Sequence, residues 1–469
     1  VSDAESSPNN GTNFGRRMMV ERVAQAPPRG RSAALAEEIR AAVRTGRLPV
    51  GTTLPASRPL ADDIGVSRGV VVRAYEQLTA EGYLVAQTGS GTVVGQVASA
   101  ATTARRGVDR SRARNPGLPD LASFPRREWS RAVEQALTEM TDRDLAYGDA
   151  RGQSRLREAL TAYLGRTRAV VAPPDRIIVT TGYAQGCRLI AEALVEHDTG
   201  PVAVEDPGSV GVTLTMQAGG AQTVPIAVDQ HGLDVHALAA SPARSVVVTP
   251  AHQFPTGAVL SPQRRADLLA WAAAGGVVVE DDYDAEFRYD RSPVGALQGL
   301  APDRVVYGGS VSKVLAPAIR LGWVVAPAWA VGTLEDLKFV SDVASPAIDQ
   351  VALAILLESG AIDRHVRRVT GRYRERRARL LRAVERHLPG YTVEGVAAGI
   401  HAALYPPRGR PAPWTDAVKR GAAPVGMVPL ADHYTGSPER PGWVVGYGNV
   451  TPDQIDRGIG GLARALGVS

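Results

Sequence analysis

Lysine is scarce in this 469-residue chain. Of 53 basic side chains only Lys313, Lys338 and Lys419 are lysines. Lys313 stands in the segment GGSVSKVLAPAIRLGW (residues 308–323) with Ser310, Ser312 and Arg320. A lysine amine forms a Schiff base with an aldehyde, while hydroxyls and a forked guanidinium suit a phosphate. Upstream, VVVEDDYDAEFRY (277–289) puts Asp281 at the end of an apolar run and Tyr283 two residues on. A carboxylate there can keep a pyridine nitrogen protonated, which makes the ring an electron sink, and a tyrosine can hydrogen-bond a ring hydroxyl. TTGYAQG (180–186) reads as strand, glycine turn and helix start, offering free N–H groups to a phosphate. PAHQFPTG (250–257) is a further turn after a strand. Each fragment alone is commonplace: Ser-x-Ser-Lys is more often a surface loop, and an acidic cluster after a strand is usually solvated. Together, each following a strand, they fit a phosphorylated pyridine aldehyde.

A second constellation is basic. Residues 1–115 hold 16 arginines against ten acidic residues, a net of +6, whereas residues 116–469 have a net of −1. The positive excess therefore sits where an anionic partner would bind. Ser67, Arg68, Gly69, Val70 and Arg73 open a helical segment, the place where a helix-turn-helix meets base edges. Arg58 begins the preceding segment and is placed to reach a phosphate, while Gly89 and Gly91 let a wing approach the minor groove. Val71, Ala74, Tyr75 and Leu78 form the opposite stripe and should pack inward. The bland alternative is a helical interaction module with solvated arginines.

These residues need elements to hold them. Residues 1–29 are polar, with Pro8, Pro27 and Pro28, and read as an arm. Leu35, Ile39 and Val43 recur every four residues and predict a helix over 31–47. Ser57 can cap a helix to Ile64, Gly65 breaks it, and Ser67 can cap another to about Glu81. Residues 83–86 and 92–95 flank Gly89-Ser90-Gly91 as a hairpin. This order predicts a winged helix-turn-helix over 30–96. Residues 97–118, with Arg105, Arg106, Arg110, Arg112 and Arg114, read as a basic linker.

From 119 to 469, helical segments (130–140, 154–164, 185–196) alternate with β-branched runs (176–180, 202–205, 245–249, 276–280, 304–307). The expected architecture is α/β, a mostly parallel sheet covered by helices, with ligands at the carboxyl ends of its strands. Hydrophobic residues make up 44% and charged ones 22%, a globular balance. The longest uncharged apolar run, 268–279, falls short of the ~20 residues that span a bilayer, so no membrane segment is expected. No apolar h-region appears in residues 1–20, so no secretory signal is expected. Cys187 stands alone, which excludes an internal disulfide and fits a reducing cytoplasm. No metal-ligating set is expected.

At residues 46–94 the text GRLPVGTTLPASRPLADDIGVSRGVVVRAYEQLTAEGYLVAQTGSGTVV resembles the winged helix of the GntR family of bacterial regulators. It departs at Val70, where the family often has threonine, so a hydroxyl donor is lost at a base-reading position. HQFPTG, DDYDAEFRY and SKVLAPAIRLGW resemble fold-type I aminotransferases, and above all the MocR/GabR group, in which a GntR winged helix is fused to an aminotransferase-like domain. FPRREW (124–129) and YGDARG (147–152) extend the likeness, which covers nearly everything from Gly30 onward. The resemblance implies a pyridoxal-phosphate-binding effector domain over 119–469 with a smaller C-terminal α/β subdomain. It implies Lys313 as Schiff-base lysine, Asp281 at the pyridine nitrogen and Tyr283 at the phenolic oxygen. Phosphate contacts are implied for Tyr183, Ala184, Ser310, Ser312 and Arg320. It further implies a head-to-tail homodimer acting on double-stranded operator DNA in a bacterial cytoplasm.

Two departures bear on enzyme versus sensor. After EDPG (205–208) related proteins often place an aromatic that stacks on the pyridine ring; here it is Ser209, and Tyr183 and His252 are the candidate substitutes. Such stacking contributes on the order of 1 kcal/mol. Amino-acid aminotransferases also carry an arginine near the C-terminus that clamps the substrate carboxylate. The comparable strand, GWVVGYGN (442–449), has Val444 and Val445 there, with Arg440 on the preceding loop. A lost clamp costs about 1.5–3 kcal/mol. The expectation is therefore a DNA-binding regulator that senses pyridoxal phosphate, or an adduct of it, as the PdxR-type regulators of vitamin B6 synthesis do. The alternatives are a working aminotransferase carrying a DNA-binding module, and a DNA-binding dimer on an inert scaffold.

Overall fold

A computed structural model describes residues 23, 25–87, 91–95, 115–289, 294–436, 438 and 440–468. Contacts divide the chain into two compact units, Val1–Ser111 and Arg112–Ser469. Nearly all of the expected arm, most of the expected basic linker and the wing residue Gly89 lie outside the described residues.

The first unit combines α1 (Arg31–Arg44), α2 (Ser57–Ile64) and α3 (Arg68–Ala80) with a three-stranded antiparallel sheet, one strand of which lies between α1 and α2 and two after α3. Its strands β1 (Thr53–Leu54), β2 (Leu84–Gln87) and β3 (Gly91–Val94) run in the order β1-β3-β2. Leu35 and Ile39, Leu60 and Ile64, and Val71, Ala74 and Leu78 bring one apolar row from each helix into a common core. Gly65 adopts φ +65 and turns the chain from α2 into α3, a left-handed conformation that costs glycine little. The periodicity overran α1 by three residues: Thr45 donates its hydroxyl to the Ala41 carbonyl at 2.7 Å and Gly46 turns with φ +74. Ser57 lies inside α2 behind the cap position Ala56, and Ser67 occupies the cap position of α3 without a side-chain bond.

The second unit is built on an eight-stranded sheet. Its strands are β4 (Ile177–Thr180), β5 (Val202–Asp206), β6 (Thr223–Asp229), β7 (Gly232–Leu233), β8 (Ser245–Val248), β9 (Val277–Asp282), β10 (Val305–Ser310) and β11 (Gly322–Val325). The order is β4-β11-β10-β9-β8-β5-β6-β7. β10, β9, β8, β5 and β6 pair in parallel, and β11 runs against both β10 and β4. Runs such as Val277-Val278-Val279 are continuous because both faces are covered, so no polar alternation is needed. A smaller antiparallel sheet follows, ordered β12 (Thr392–Glu394), β13 (His401–Tyr405), β15 (Trp443–Gly446), β14 (Gly426–Pro429). Helices Ala361–His387 and Pro452–Ala465 share a core with it through Tyr373, Leu380, Ile455 and Ile459. No helix among the described residues is long and apolar enough to cross a membrane.

Candidate functional site

Strand ends of the large sheet open onto a cavity of about 300 Å³. Its walls carry Lys313, Asp281, Tyr283, Ser310, Ser312, Arg320, Tyr183 and Ala184, every cofactor residue expected from the sequence. They come from widely separated stretches of chain because parallel strands end on one edge of the sheet. Lys313 follows β10, and its ammonium donates to the Gly117 carbonyl at 2.7 Å. Burial pushes its pKa below the ordinary lysine value, against the pull of Asp284 and Asp281.

Strand alternation separates the two adjacent aspartates of β9. Asp282 turns away and is neutralised by the buried Arg168 guanidinium at 2.6 Å and the Tyr307 hydroxyl at 2.7 Å. Asp281 faces the cavity, where its Oδ1 is buried without a hydrogen-bond partner. Burial, reinforced by Asp282 and Glu205, raises its pKa well above the carboxylate range. A buried acceptor left open beside an amine is a seat for a ligand N–H.

At the other edge, α4 (Tyr183–Glu196) begins at Gly182, whose φ is +75. The first N–H groups of this helix, at Tyr183 and Ala184, have no acceptor within it and face the same cavity. The Arg320 guanidinium packs on Gly182, donating to the Thr181 carbonyl at 3.0 Å, and a Cβ on Gly182 would meet it at 2.7 Å. Arg320 is itself held at φ +53, an unfavourable conformation for arginine that aims its fork at the helix start. Ser310 and Ser312 complete this cradle. The Tyr183 ring, by contrast, packs against Gly308 and under Asp281, so its part in the cradle is its backbone.

Ser209, found where an aromatic was expected, caps helix Val210–Ala218 by accepting from Val212 N at 3.4 Å. Phe254, from the turn after β8, supplies an aromatic wall instead. The Tyr183 ring packs against Gly308 with its hydroxyl buried, and His252 lies behind Tyr283, bonded to Asp284 at 3.0 Å.

His401 was missed by sequence reading, since an isolated histidine carries no motif. It is 1% exposed, lines the cavity, and leaves both ring nitrogens without a partner. Burial, with His252, Lys313 and His433 nearby, pushes its pKa far below the ordinary histidine value. Among the described residues, His252, Asp284 and His401 bring ligand atoms within 4.8 Å of one another. The Gly399 backbone packs directly on the His252–Asp284 bond, so that edge is closed as a hydrogen-bonded imidazole–carboxylate pair.

No arginine takes the clamp position. The register pairs His401 with Gly446 and Ala403 with Val444, which puts Val444 on the His401 face of the small sheet. Val444 is buried there with Ala403, Tyr405 and Leu430, while Val445 points into the opposite, helix-covered core. Arg440 pairs with Glu394 at 2.6 Å and stacks 3.9 Å from the Tyr405 ring centre, lining a separate open cleft.

In the first unit, Arg58, Ser67, Arg68, Gly69 and Arg73 are exposed, and Arg68 reaches Ser57 Oγ at 3.3 Å. Val70 corrects the expected base-reading set. It is 6% exposed because Val70, Ala74 and Leu78 form one i, i+4 row, and that row faces the core. Gly91, with φ +92, opens β3 at the wing.

Comparisons with known proteins agree with both units. Residues 31–94 match the family model for bacterial regulatory proteins of the gntR family, and residues 119–404 match aminotransferase class I and II. A probable rhizopine catabolism regulatory protein, MocR, of Rhizobium meliloti is 30% identical, covering 92% of this chain and 93% of its own. PdxR of Corynebacterium glutamicum, an HTH-type pyridoxine biosynthesis transcriptional regulator, is 32% identical over 90% and 92% of the two chains. Among solved structures, the α-aminoadipate aminotransferase LysN of Thermus thermophilus superposes with TM-score 0.67 at 26% identity. It covers 76% of this chain and 92% of its own.

Proposed function

This chain belongs to the GntR-family transcription regulators that carry a class I and II aminotransferase domain, the MocR and PdxR type. From that premise we propose that it binds pyridoxal phosphate in the Lys313 cavity and that occupancy sets its DNA binding, for the control of vitamin B6 supply. The observation that carries this reading is Asp281: a buried strand-end carboxyl with an open acceptor, in the same cavity as a lysine whose pKa is lowered. When bound, the cofactor supplies an aldehyde for Lys313 and a ring nitrogen for Asp281. Lys313, kept deprotonated more readily by burial, is the nucleophile. Tyr283 would hydrogen-bond the ring hydroxyl, and Arg320, Ser310, Ser312 and the N–H groups of Tyr183 and Ala184 would hold the phosphate. The B6 assignment follows the PdxR relative, whose name ties it to pyridoxine biosynthesis. The apolar Val444 at the clamp position favours a sensor over a transaminase.

Arg58, Arg68 and Arg73, with the wing at Gly91, are the residues for double-stranded operator DNA. A head-to-tail homodimer presents two such helices at a spacing that half-sites must match. Leu145, Tyr147 (94% exposed), Phe339 and Val340 are apolar surface available for that dimer. The place of action is the bacterial cytoplasm. Purified protein titrated with pyridoxal phosphate, beside Lys313→Ala, tests the reading. A visible absorption band in the wild type alone, with operator binding changing in step, is the expected result. No band in the wild type would leave a DNA-binding protein on an inert scaffold.

A further inference from the structure

We propose that the end of the cavity facing His401 is a subsite for an uncharged hydroxyl group, so that the small molecule read beside the cofactor is an amino alcohol and not an amino acid. The proposal rests on the pyridoxal phosphate reading above. His401 is buried, unpaired at both ring nitrogens, and lines the cavity that holds Lys313. Its surroundings keep it neutral: burial first, then His252, Lys313 and His433, against the opposing pull of the nearby Pro255 backbone. A neutral imidazole carries its N–H and its bare nitrogen on divergent edges of the ring, so a ligand hydroxyl meets one of them at a time, and it can serve either, as acceptor to the N–H or as donor to the bare nitrogen. A carboxylate can only accept, and it must be stripped of water to enter.

Nothing among the described lining residues balances such a charge at this end. The cationic groups lining the cavity are Lys313, which the cofactor would engage, and Arg320, which donates to the Thr181 carbonyl beside the helix start. Phe254 packs edge-on to the His401 ring, with centroids 5.0 Å apart. Asp284, behind His401 and His252, adds negative potential that opposes a second carboxylate. Arg440, the arginine nearest in sequence to the clamp strand, is committed to Glu394 and Tyr405.

L-alaninol and L-alanine share a carbon skeleton and amine and differ in hydroxymethyl versus carboxylate, so they isolate the question. Each is titrated into full-length protein loaded with pyridoxal phosphate, reading the change in the visible band. In that exchange the probe nitrogen bonds to the cofactor aldehyde carbon as the bond to Lys313 breaks. One carbon–nitrogen double bond replaces the other, the two hydrogens lost by the probe nitrogen pass as protons to the Lys313 nitrogen, and nothing is oxidised or reduced. Alaninol should act at a concentration at least about tenfold lower than alanine, because a site built for a hydroxyl penalises a ligand that leaves its groups unpaired. His401→Phe should bring the two probes to within about threefold of each other, while His401→Gln, which keeps a donor and an acceptor, should retain part of the preference. The cofactor band in each variant reports that it has folded.

Alanine acting as well as alaninol on wild type overturns the subsite, as does a preference that survives His401→Phe. A loaded band without probe preference defeats this proposal alone. Absence of any band in the wild type defeats both it and the reading on which it rests.

Discussion

At one end of the Lys313 cavity, Asp281, Ser310, Ser312, Arg320 and a helix start converge from three strand ends. At the other, the walls are Phe254, Val212 and the unpaired His401. The first end has formal charges, backbone donors and a strained arginine aimed inward; the second has no formal charge of its own. An aminotransferase needs both ends, one for its cofactor and one for its substrate's carboxylate. Here the architecture that would hold a cofactor is present, while the residue on the clamp strand that shares the His401 face is a buried valine. The difference teaches that holding a cofactor and gripping an amino acid are separable properties of one fold, because they reside on different sheets.

The comparison is broken most severely by Asp281→Ala. Removing a charge-assisted hydrogen bond worth about 1.5–3 kcal/mol should weaken pyridoxal phosphate binding by roughly 10- to 100-fold, measured by absorption titration. An unchanged affinity would mean that the charged end does not hold the ring as drawn.

Arg68→Ala should weaken operator binding by about 1–3 kcal/mol in a mobility-shift titration, leaving the cofactor titration unchanged. Loss of both would show that the two functions share determinants. Operator affinity itself should fall steeply between about 50 and 200 mM salt, as phosphate contacts release counterions.

Val444→Arg tests the second end directly by supplying a fork on the His401 face. It should improve alanine as a probe of the loaded protein by about tenfold while lowering the melting temperature, since it places a charge among Ala403, Tyr405 and Leu430. Unimproved alanine response in a folded variant would separate that strand position from carboxylate recognition.

Stability, not binding, is what Glu205 affects; it lies beside the cavity between Thr249 and Gln253, and burial raises its pKa from 4.5 to about 7. Between those values the unfolded chain has released the proton that the folded one still binds, so stability falls as pH rises and then levels above about 7. The decline from this group is on the order of 3 kcal/mol. Glu205→Gln should make the melting-temperature profile shallower over that window, where the pKa values of buried Glu280 and Glu286 are also raised to about 7, and an unaltered profile would leave the whole pH dependence to those two.

Much of this was legible in the chain. A lysine among fifty arginines, placed after a β-branched run, already marked the chemistry, and the alternation of strands and helices placed it at a strand edge. The helix-turn-helix was readable from apolar spacing and from Gly65. What was not legible was whatever depends on which way a residue faces. Val70 belonged to the same text as Arg68 and Gly69, yet helix geometry turned it into the core. Ser209 read as a missing aromatic and serves as a helix cap.

The sequence by itself determined the elements, their order and the residue types at the strand ends, because periodicity, caps and composition are local properties. Tertiary structure alone decided that His401 from the small sheet meets Phe254 and Lys313 from the large one, that Asp282 is neutralised while Asp281 is left open, and that Val444 and Val445 face opposite ways. Those outcomes depend on register and on long-range packing, which bring together groups far apart in the chain and change their hydration on contact.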